Sequence, residues 1–293
     1  MRVLLIGARG YVGSAVAEHL SALGHEIVAL ERPGTGTGTG TGTSAYEIRT
    51  GDLADPASLT AAVTSDIDAV INLATPSGDV AVDAAAVTAL TDPLRGTGKP
   101  FVYTSGVWVL GATDDADETT PTNPIPIVGY RPDIERQVLA LADTDVRAAV
   151  IRPGIVHGRG GGIPALLVDL ARKHEAPTVV ADRSVVWPMV HIDDLADLFA
   201  KVVDAAPAGA VWHGISQPAV SVAELAAAAG RAAGVCGETK VWPLDQARAE
   251  LGATFADALA LSQTVTGQAG IDQLNWEPKG PDVISDLTTG SYR

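Results

Sequence analysis

Cysteine is nearly absent from this sequence, since Cys236 is the one cysteine among 293 residues. A single thiol cannot form a disulfide within the chain, which excludes a disulfide-stapled scaffold and favours a reducing compartment. We therefore expect a cytoplasmic protein. Cys236 is interpreted as an ordinary thiol, because a nucleophilic cysteine requires a partner histidine that the sequence does not indicate.

Positive charge is also scarce in this chain. It carries 20 Lys and Arg against 35 Asp and Glu, which gives a formal net charge of −15. Nucleic-acid binding requires a basic face and binding to an anionic membrane requires basic clusters, and the sequence shows neither. Backbone amides can still bind a small anion whatever the net charge. We expect a small-molecule substrate, with no nucleic acid and no membrane among the partners.

Long apolar runs are missing as well. No stretch reaches the roughly 18–20 apolar residues that are needed to span a bilayer. The apolar run at residues 3–6 is far shorter than the core of a signal peptide. Hydrophobic residues nevertheless make up 46% of the chain, which is enough for one large domain or two modest ones.

Short apolar runs and helical patterns alternate in the first half of the sequence. The apolar runs predict strands at 2–7, 26–31, 46–49, 68–74, 100–105 and 147–153. The helical patterns lie at 11–24, 55–63, 79–90 and 132–142. Continuously apolar strands that alternate with helices are typical of a parallel sheet covered on both faces. The pattern predicts an α/β fold of Rossmann type with a doubly wound parallel sheet.

The alternation loosens in the second half. We predict a dinucleotide-binding Rossmann domain at residues 1–153, to which later elements at about 189–215 return. Residues 154–188 and 216–293 are predicted to form a smaller C-terminal substrate-binding cap. The Gly/Thr repeat at 34–43 has too little apolar area to fold alone and is expected to be a flexible loop.

A glycine motif links the first strand to the first helix. The segment IGARGYVGS (6–14) contains Gly7, Gly10 and Gly13, and Glu31 follows at the end of the second predicted strand. Glycines in this context allow a tight turn and a close approach of the backbone to a pyrophosphate, which the helix N-terminus then binds. The context predicts a dinucleotide site.

The glycine spacing resembles that of the short-chain dehydrogenase/reductase superfamily, in its extended, epimerase/dehydratase-like branch. Further segments resemble that family in the same order along the chain: GDLADPASL (51–59), INLAT (71–75), VYTSG (102–106), IRPGIVHG (151–158), HIDDLADLF (191–199) and LNWEP (274–278). The resemblance implies NAD or NADP as the cofactor. The residues expected to bind it are Gly7, Arg9, Gly10, Tyr11, Val12, Gly13, Glu31, Arg32, Asp52, Leu53, Leu73, Ala74, Thr75 and Pro153.

The choice between NAD and NADP stays open. A carboxylate at Glu31 suits the ribose 2′-hydroxyl of NAD. Arg32 follows it at once and Arg9 lies within the glycine turn, and either guanidinium could bind the 2′-phosphate of NADP.

The family resemblance implies a catalytic Ser, Tyr and Lys, with the last two spaced Tyr-x-x-x-Lys. Ser105 ends the predicted strand that carries the serine, and Tyr130 lies near the position of the tyrosine. Ile134 occupies the position of the lysine, and Arg131 is the neighbouring cation. Pro132 predicts that the helix begins there and leaves Tyr130 and Arg131 on its lead-in. His157, predicted in a loop after the Arg-Pro strand, is an alternative proton donor.

Three functions fit this pattern. The first is a nicotinamide-dependent oxidoreductase or epimerase that transfers hydride to or from a small organic substrate. The second is a non-redox lyase, isomerase or dehydratase on the same fold, and the third is a cofactor sensor without catalysis.

No cluster has metal-ligand spacing in sequence, so no metal is expected. The resemblance also implies a homodimer formed by helices near 79–92 and 132–142.

Overall fold

The structure is a computed structural model that describes residues 1–34, 46–74 and 76–293. The chain forms two compact units. Unit 1 consists of Met1–Ser105, Tyr130–Ile151 and Ala196–Trp212, and unit 2 of Gly106–Gly129, Arg152–Leu195 and His213–Arg293. The predicted division into a Rossmann domain and a substrate-binding cap stays a prediction.

The described residues contain fourteen strands and eleven α-helices. The strands are β1 Arg2–Ile6, β2 Glu26–Glu31, β3 Glu47–Thr50, β4 Ala69–Asn72, β5 Pro100–Thr104, β6 Thr113–Ala116, β7 Arg147–Pro153, β8 Ile155–His157, β9 Thr178–Val180, β10 Val186–His191, β11 Ala210–Gly214, β12 Gln217–Ser221, β13 Lys240–Trp242 and β14 Gln263–Val265. The helices are α1 Tyr11–Ala22, α2 Pro56–Ala62, α3 Val80–Thr91, α4 Arg131–Leu139, α5 Gly162–His174, α6 Ile192–Ala205, α7 Val222–Ala232, α8 Leu244–Leu251, α9 Ala253–Leu259, α10 Gln268–Leu274 and α11 Val283–Thr289.

A seven-stranded sheet has the order β11-β7-β5-β4-β1-β2-β3. The pairs from β7 to β3 are parallel. β1, β4 and β5 are buried along most of their length, because their apolar side chains meet helices on both faces. This confirms the predicted Rossmann-type α/β fold with a large parallel sheet.

The helices of unit 1 begin where the sequence provides caps. The Asp55 carboxylate accepts a hydrogen bond from the Ser58 amide at the start of α2, with Pro56 in the first position. The Asp79 carboxylate accepts from the amides of Ala81 and Val82 at the start of α3. Each cap satisfies amides that the helix itself leaves without an acceptor. The side chains of these helices pack on the central strands in one apolar core.

Unit 2 has smaller sheets. β8, β10 and β12 form one of three strands, in which β8 and β10 are parallel and β10 and β12 antiparallel. The pairs β9–β13 and β6–β14 are parallel. An apolar cluster that includes Trp187 and Leu225 connects the three-stranded sheet with α5, α7 and α11.

Two local predictions were wrong. α4 begins at Arg131, with Tyr130 as its N-cap, and not at Pro132. His157 is the last residue of strand β8 and does not lie in a loop. Most of the Gly/Thr repeat lies outside the described residues. No helix in the described part of the chain has both the length and the apolar character needed to cross a bilayer.

Candidate functional site

Steric contacts require glycine in the turn between β1 and α1. Gly7 has φ +85°, and a Cβ there would lie 3.0 Å from the backbone of Leu73 and Ala74. A Cβ at Gly13 would lie 1.9 Å from the carbonyl oxygen of Gly7. Gly10 closes the turn by donating from its amide to that same oxygen at 2.9 Å. The chain can form this turn only because side chains are absent at these positions.

The turn borders a cavity of about 560 Å³ in unit 1. This volume lies in the range of small-molecule and cofactor sites. Its lining includes eight of the residues predicted to bind the cofactor: Gly7, Arg9, Gly10, Glu31, Arg32, Asp52, Leu53 and Ala74. The sequence did not single out the other lining residues, which are Ile6, Ala8, Leu30, Gly51, Ala54, Pro76, Ser77 and Val82.

The remaining predicted residues lie elsewhere. Tyr11, Val12 and Gly13 form the first turn of α1, whose N-terminus supplies backbone amides and the positive end of the helix dipole. Leu73 contacts Gly7 through its backbone. Pro153 is the buried last residue of β7 and belongs to unit 2. Thr75 lies outside the described residues.

Two polar side chains fix the loops around the cavity. Asn72, buried at the end of β4, accepts at its Oδ1 from the Ala74 amide at 3.1 Å. The Asp52 carboxylate accepts from the Ala54 amide at 2.9 Å, and the Asp52 amide donates to the Ser58 hydroxyl at 3.0 Å. These bonds hold in place the segments that follow β3 and β4. Asn72 was not recognised in the sequence, although a polar residue that ends an apolar strand was a usable signal.

An ion pair lies at the end of β2. Arg9 Nε donates to Glu31 Oε1 at 2.6 Å. The Glu31 side chain is 9% exposed, whereas that of Arg9 is 57% exposed. Arg9, which was predicted as a possible ligand of the 2′-phosphate of NADP, is therefore paired with Glu31.

Tyr130 is held by a buried acid. Its hydroxyl donates to Asp83 Oδ2 at 2.6 Å and accepts from the Gly78 amide at 3.2 Å. The other contacts of Asp83 are to the Ser77 amide, at 3.0 and 3.2 Å. Burial and the Asp83 carboxylate raise the pKa of Tyr130 to about 12. Tyr130 thus supports the loop beside the cavity, and the sequence did not identify Asp83 as its partner.

Arg131 provides positive charge next to two tyrosines. Burial raises the pKa of Tyr103 to about 12, and the Arg131 charge opposes that rise. Arg131 opposes the rise at Tyr130 in the same way, although less strongly than burial and Asp83 promote it. An arginine cannot release its proton near neutral pH, so Arg131 acts as a fixed charge and not as a proton relay.

Ser105 lies directly after β5, at the carboxyl edge of the parallel sheet. Its amide donates to the Ile151 carbonyl at 2.8 Å. The residue is 6% exposed, and its Oγ has no hydrogen-bond partner among the described residues. A buried hydroxyl without a partner is unfavourable, so a ligand oxygen is a natural partner for it.

His157 is wholly buried in unit 2. Burial is the main reason that its pKa is lowered to about 4, and the neighbouring His191 lowers it further. An imidazole in this state is neutral at physiological pH, and its remaining N–H is only a weak acid. The role of His157 as an alternative proton donor stays a prediction. Its ring lies beside His191 and Asp286, which the sequence did not bring together.

The family model for the NAD dependent epimerase/dehydratase family matches residues 3–213. An uncharacterized protein of Saccharomyces cerevisiae is 27% identical, over 98% of each chain. The human epimerase family protein SDR39U1, solved with NADPH, is similar in fold, with a TM-score of 0.78, 21% identity and 99% of each chain covered.

A UDP-glucose 4-epimerase from Thermus thermophilus, solved with NAD, is also similar in fold. Its TM-score is 0.80 at 20% identity, with 100% of this chain and 99% of that chain covered. The family match confirms the resemblance seen in the motifs, and its description agrees with the expected nicotinamide cofactor. This chain, matched from β1 to β11, belongs to the NAD dependent epimerase/dehydratase family.

Proposed function

We propose that the protein binds a nicotinamide dinucleotide in the cavity of unit 1 and uses it to transfer hydride to or from a small organic substrate. The observation that carries this proposal is the glycine turn, where Gly7 and Gly13 leave no room for a side chain beside the cavity. The NAD and NADPH bound to the two similar structures give it further support.

In the proposed reaction, a carbonyl carbon takes hydride from the reduced nicotinamide while its oxygen takes a proton, and oxidation of the alcohol is the reverse. Ser105 is proposed to donate a hydrogen bond to the reacting oxygen, and the lack of a partner for its Oγ among the described residues supports this role. Tyr130 is not proposed as the acid, because its hydroxyl is held by Asp83. The proton is proposed to come from water.

Arg9 and Glu31 lie where the adenosine end of the cofactor is expected, and each suits a different cofactor. Glu31 can accept from the ribose 2′-hydroxyl of NAD. Arg9 and Arg32 also line the cavity and can bind a 2′-phosphate if the carboxylate is neutralised. We propose NAD as the preferred cofactor, with Glu31 opposing NADP by charge repulsion.

A cofactor sensor without catalysis is the second candidate. It is favoured by one observation, the engagement of Tyr130 with Asp83 where the family resemblance implied a catalytic tyrosine. The sensor shares the cofactor site with the enzyme but forms no product.

The homodimer implied by the resemblance stays a prediction, to be checked by sedimentation at micromolar concentration.

Turnover with a panel of aldehydes, ketones and sugar nucleotides tests the proposal. Oxidation of NADH or NADPH, or epimerised product without net oxidation, is the expected result for at least one compound. Saturable cofactor binding with no product from any compound would favour the sensor. Absence of cofactor binding would contradict both candidates.

A further inference from the structure

Two histidines lie side by side at the ends of neighbouring strands in unit 2. β8 and β10 are parallel, and His157 is the direct partner of His191 in their register. Residues in this relation project to the same face of a sheet. The two rings are 5.1 Å apart between centroids and lie edge to face.

Asp286, which lies on α11, forms a group of three residues with the two histidines. Each of the three residues offers one ligand atom, and these atoms all lie within 4.8 Å of one another. All three residues are buried. The group is therefore shielded from water, in an interior where imidazole and carboxylate groups need partners.

The contacts within the group are poor as hydrogen bonds. His157 Nδ1 and Asp286 Oδ2 are 3.4 Å apart, which is long for a hydrogen bond. His157 Nε2 is buried and has no hydrogen-bond partner among the described residues. By contrast, two ligands of a tetrahedral ion with bonds of 2.0–2.1 Å lie about 3.3–3.4 Å apart. The separation of His157 and Asp286 suits two ligands of one ion.

Neighbouring groups hold the three side chains in position. Asp286 Oδ1 accepts from the Ser291 amide at 2.8 Å. His191 Nδ1 accepts from the Asp193 amide at 3.3 Å and lies 3.7 Å from the carboxylate of the same residue, so the start of α6 fixes the position of the ring. A Cβ at Gly280 would lie 2.6 Å from the Cβ and Cγ of His191, so the ring fits closely against that glycine.

We propose that His157, His191 and Asp286 bind one divalent transition-metal ion. Two imidazoles and a carboxylate, buried and with their ligand atoms within 4.8 Å of one another, are a donor set that suits Zn²⁺. The ion links β8 and β10 to α11 and so fastens the C-terminal helix to the sheet of unit 2. The role is structural, because the group is buried and is formed by unit 2 alone.

Metal content and stability of the untagged protein test this site. After chelation and dialysis, titration with Zn²⁺ is expected to saturate at one ion per chain and to raise the Tm by roughly 5 °C or more. Co²⁺ in its place is expected to give the visible absorption of a tetrahedral ion. Wild-type protein that binds no Zn²⁺, or whose Tm does not change, would overturn the proposal without any variant.

Variants locate the ion. His191→Gln and Asp286→Asn are expected to lose the Co²⁺ absorption and the rise in Tm, with folding checked by circular dichroism. His19→Gln, a partly exposed histidine on α1, and Cys236→Ser, the exposed thiol, are expected to keep both. Loss of the signal in either control, or its survival in a folded His191→Gln protein, would place the ion elsewhere. Cofactor binding is a separate readout, since the cavity belongs to unit 1.

Discussion

The hydroxyl of Tyr130 donates a 2.6 Å hydrogen bond to the carboxylate of Asp83. The same carboxylate accepts from the amide of Ser77, a residue that lines the cofactor cavity. A tyrosine that the family resemblance placed near the chemistry is thereby part of the support for the cavity. Its pKa of about 12 is a consequence of this burial and pairing.

Tyr130→Phe is expected to weaken cofactor binding more than it slows the chemical step. The change leaves the Asp83 carboxylate without its hydroxyl partner, which costs about 1–3 kcal/mol, and it loosens the loop at Ser77. The dissociation constant for NADH should rise several-fold while kcat at saturation changes little. Tyr46→Phe, which alters a tyrosine outside the cavity lining, is the control. A fall in kcat of roughly 100-fold or more at saturating cofactor would instead identify Tyr130 as the acid.

Ser105→Ala is expected to raise the stability of the protein and to lower its activity. The substitution removes a buried hydroxyl that has no partner among the described residues, so the protein without ligand should gain about 1 kcal/mol. Turnover should fall at least tenfold, because the reacting oxygen loses a hydrogen-bond donor. Denaturant unfolding and steady-state kinetics measure the two effects, with the exposed Ser65→Ala as a control. Unchanged turnover would remove Ser105 from the site.

Glu31→Gln is expected to shift cofactor preference toward NADPH. The change removes a negative charge that repels the 2′-phosphate and releases Arg9 to bind it. The ratio of NADPH affinity to NADH affinity should rise at least tenfold, equivalent to about 1.4 kcal/mol. Arg9→Gln should shift the ratio the opposite way. The same ratio in wild-type and Glu31→Gln protein would show that the carboxylate does not contact the ribose.

Acid is expected to destabilise the protein through His213. Burial, and to a lesser degree the nearby charge of Arg152, lower its pKa from 6.5 to about 4. Between those two values the unfolded chain binds a proton that the folded chain does not, so stability falls as pH drops from about 6.5 to 4. The loss attributable to this residue is roughly 3 kcal/mol.

His213→Gln isolates that effect, since an amide does not titrate. Unfolding free energies measured at several pH values should fall less steeply for the variant than for the wild-type protein. Equal slopes for His213→Gln and the wild-type protein would contradict the lowered pKa.

The sequence was sufficient to predict the Rossmann sheet and the glycine turn. Continuous apolar runs such as residues 3–6, each followed by a helical pattern, are typical of strands that helices cover on both faces, and both signals lie in the local sequence. Gly7 and Gly13 are required by contacts across a turn of a few residues, so their spacing predicted the turn. Caps such as Asp55 were readable for the same reason.

Contacts between segments far apart in the chain could not be predicted from the sequence. Asp83 lies on α3 and Tyr130 at the start of α4, and a helical acid carries no sign that a tyrosine lies opposite. The short strand β6 exists because β14 pairs with it, and its acidic sequence alone does not indicate a strand. His157 was expected in the loop after the Arg-Pro strand, because a strand of three residues such as β8 is too short to show a strand periodicity in the sequence.

Some family-like segments turned out to contact each other. The indole of Trp276 donates to the Asp194 carbonyl at 2.9 Å, and the Asp194 carboxylate accepts from the amide of Lys279 at 2.7 Å. The segments HIDDLADLF and LNWEP are therefore joined within unit 2. Their order in the sequence identified the family, whereas their contact required the structure.

Cofactor binding by wild-type and Gly13→Ala protein is the first measurement to make. Each protein is titrated with NADH and NADPH while nicotinamide fluorescence is followed, with Gly129→Ala as the matched control. We expect saturation at one dinucleotide per chain for the wild-type and control proteins. We expect no binding by Gly13→Ala, whose new Cβ would collide with the Gly7 carbonyl oxygen. No binding of either dinucleotide by the wild-type protein, or undiminished binding by Gly13→Ala, would contradict the proposed cofactor site.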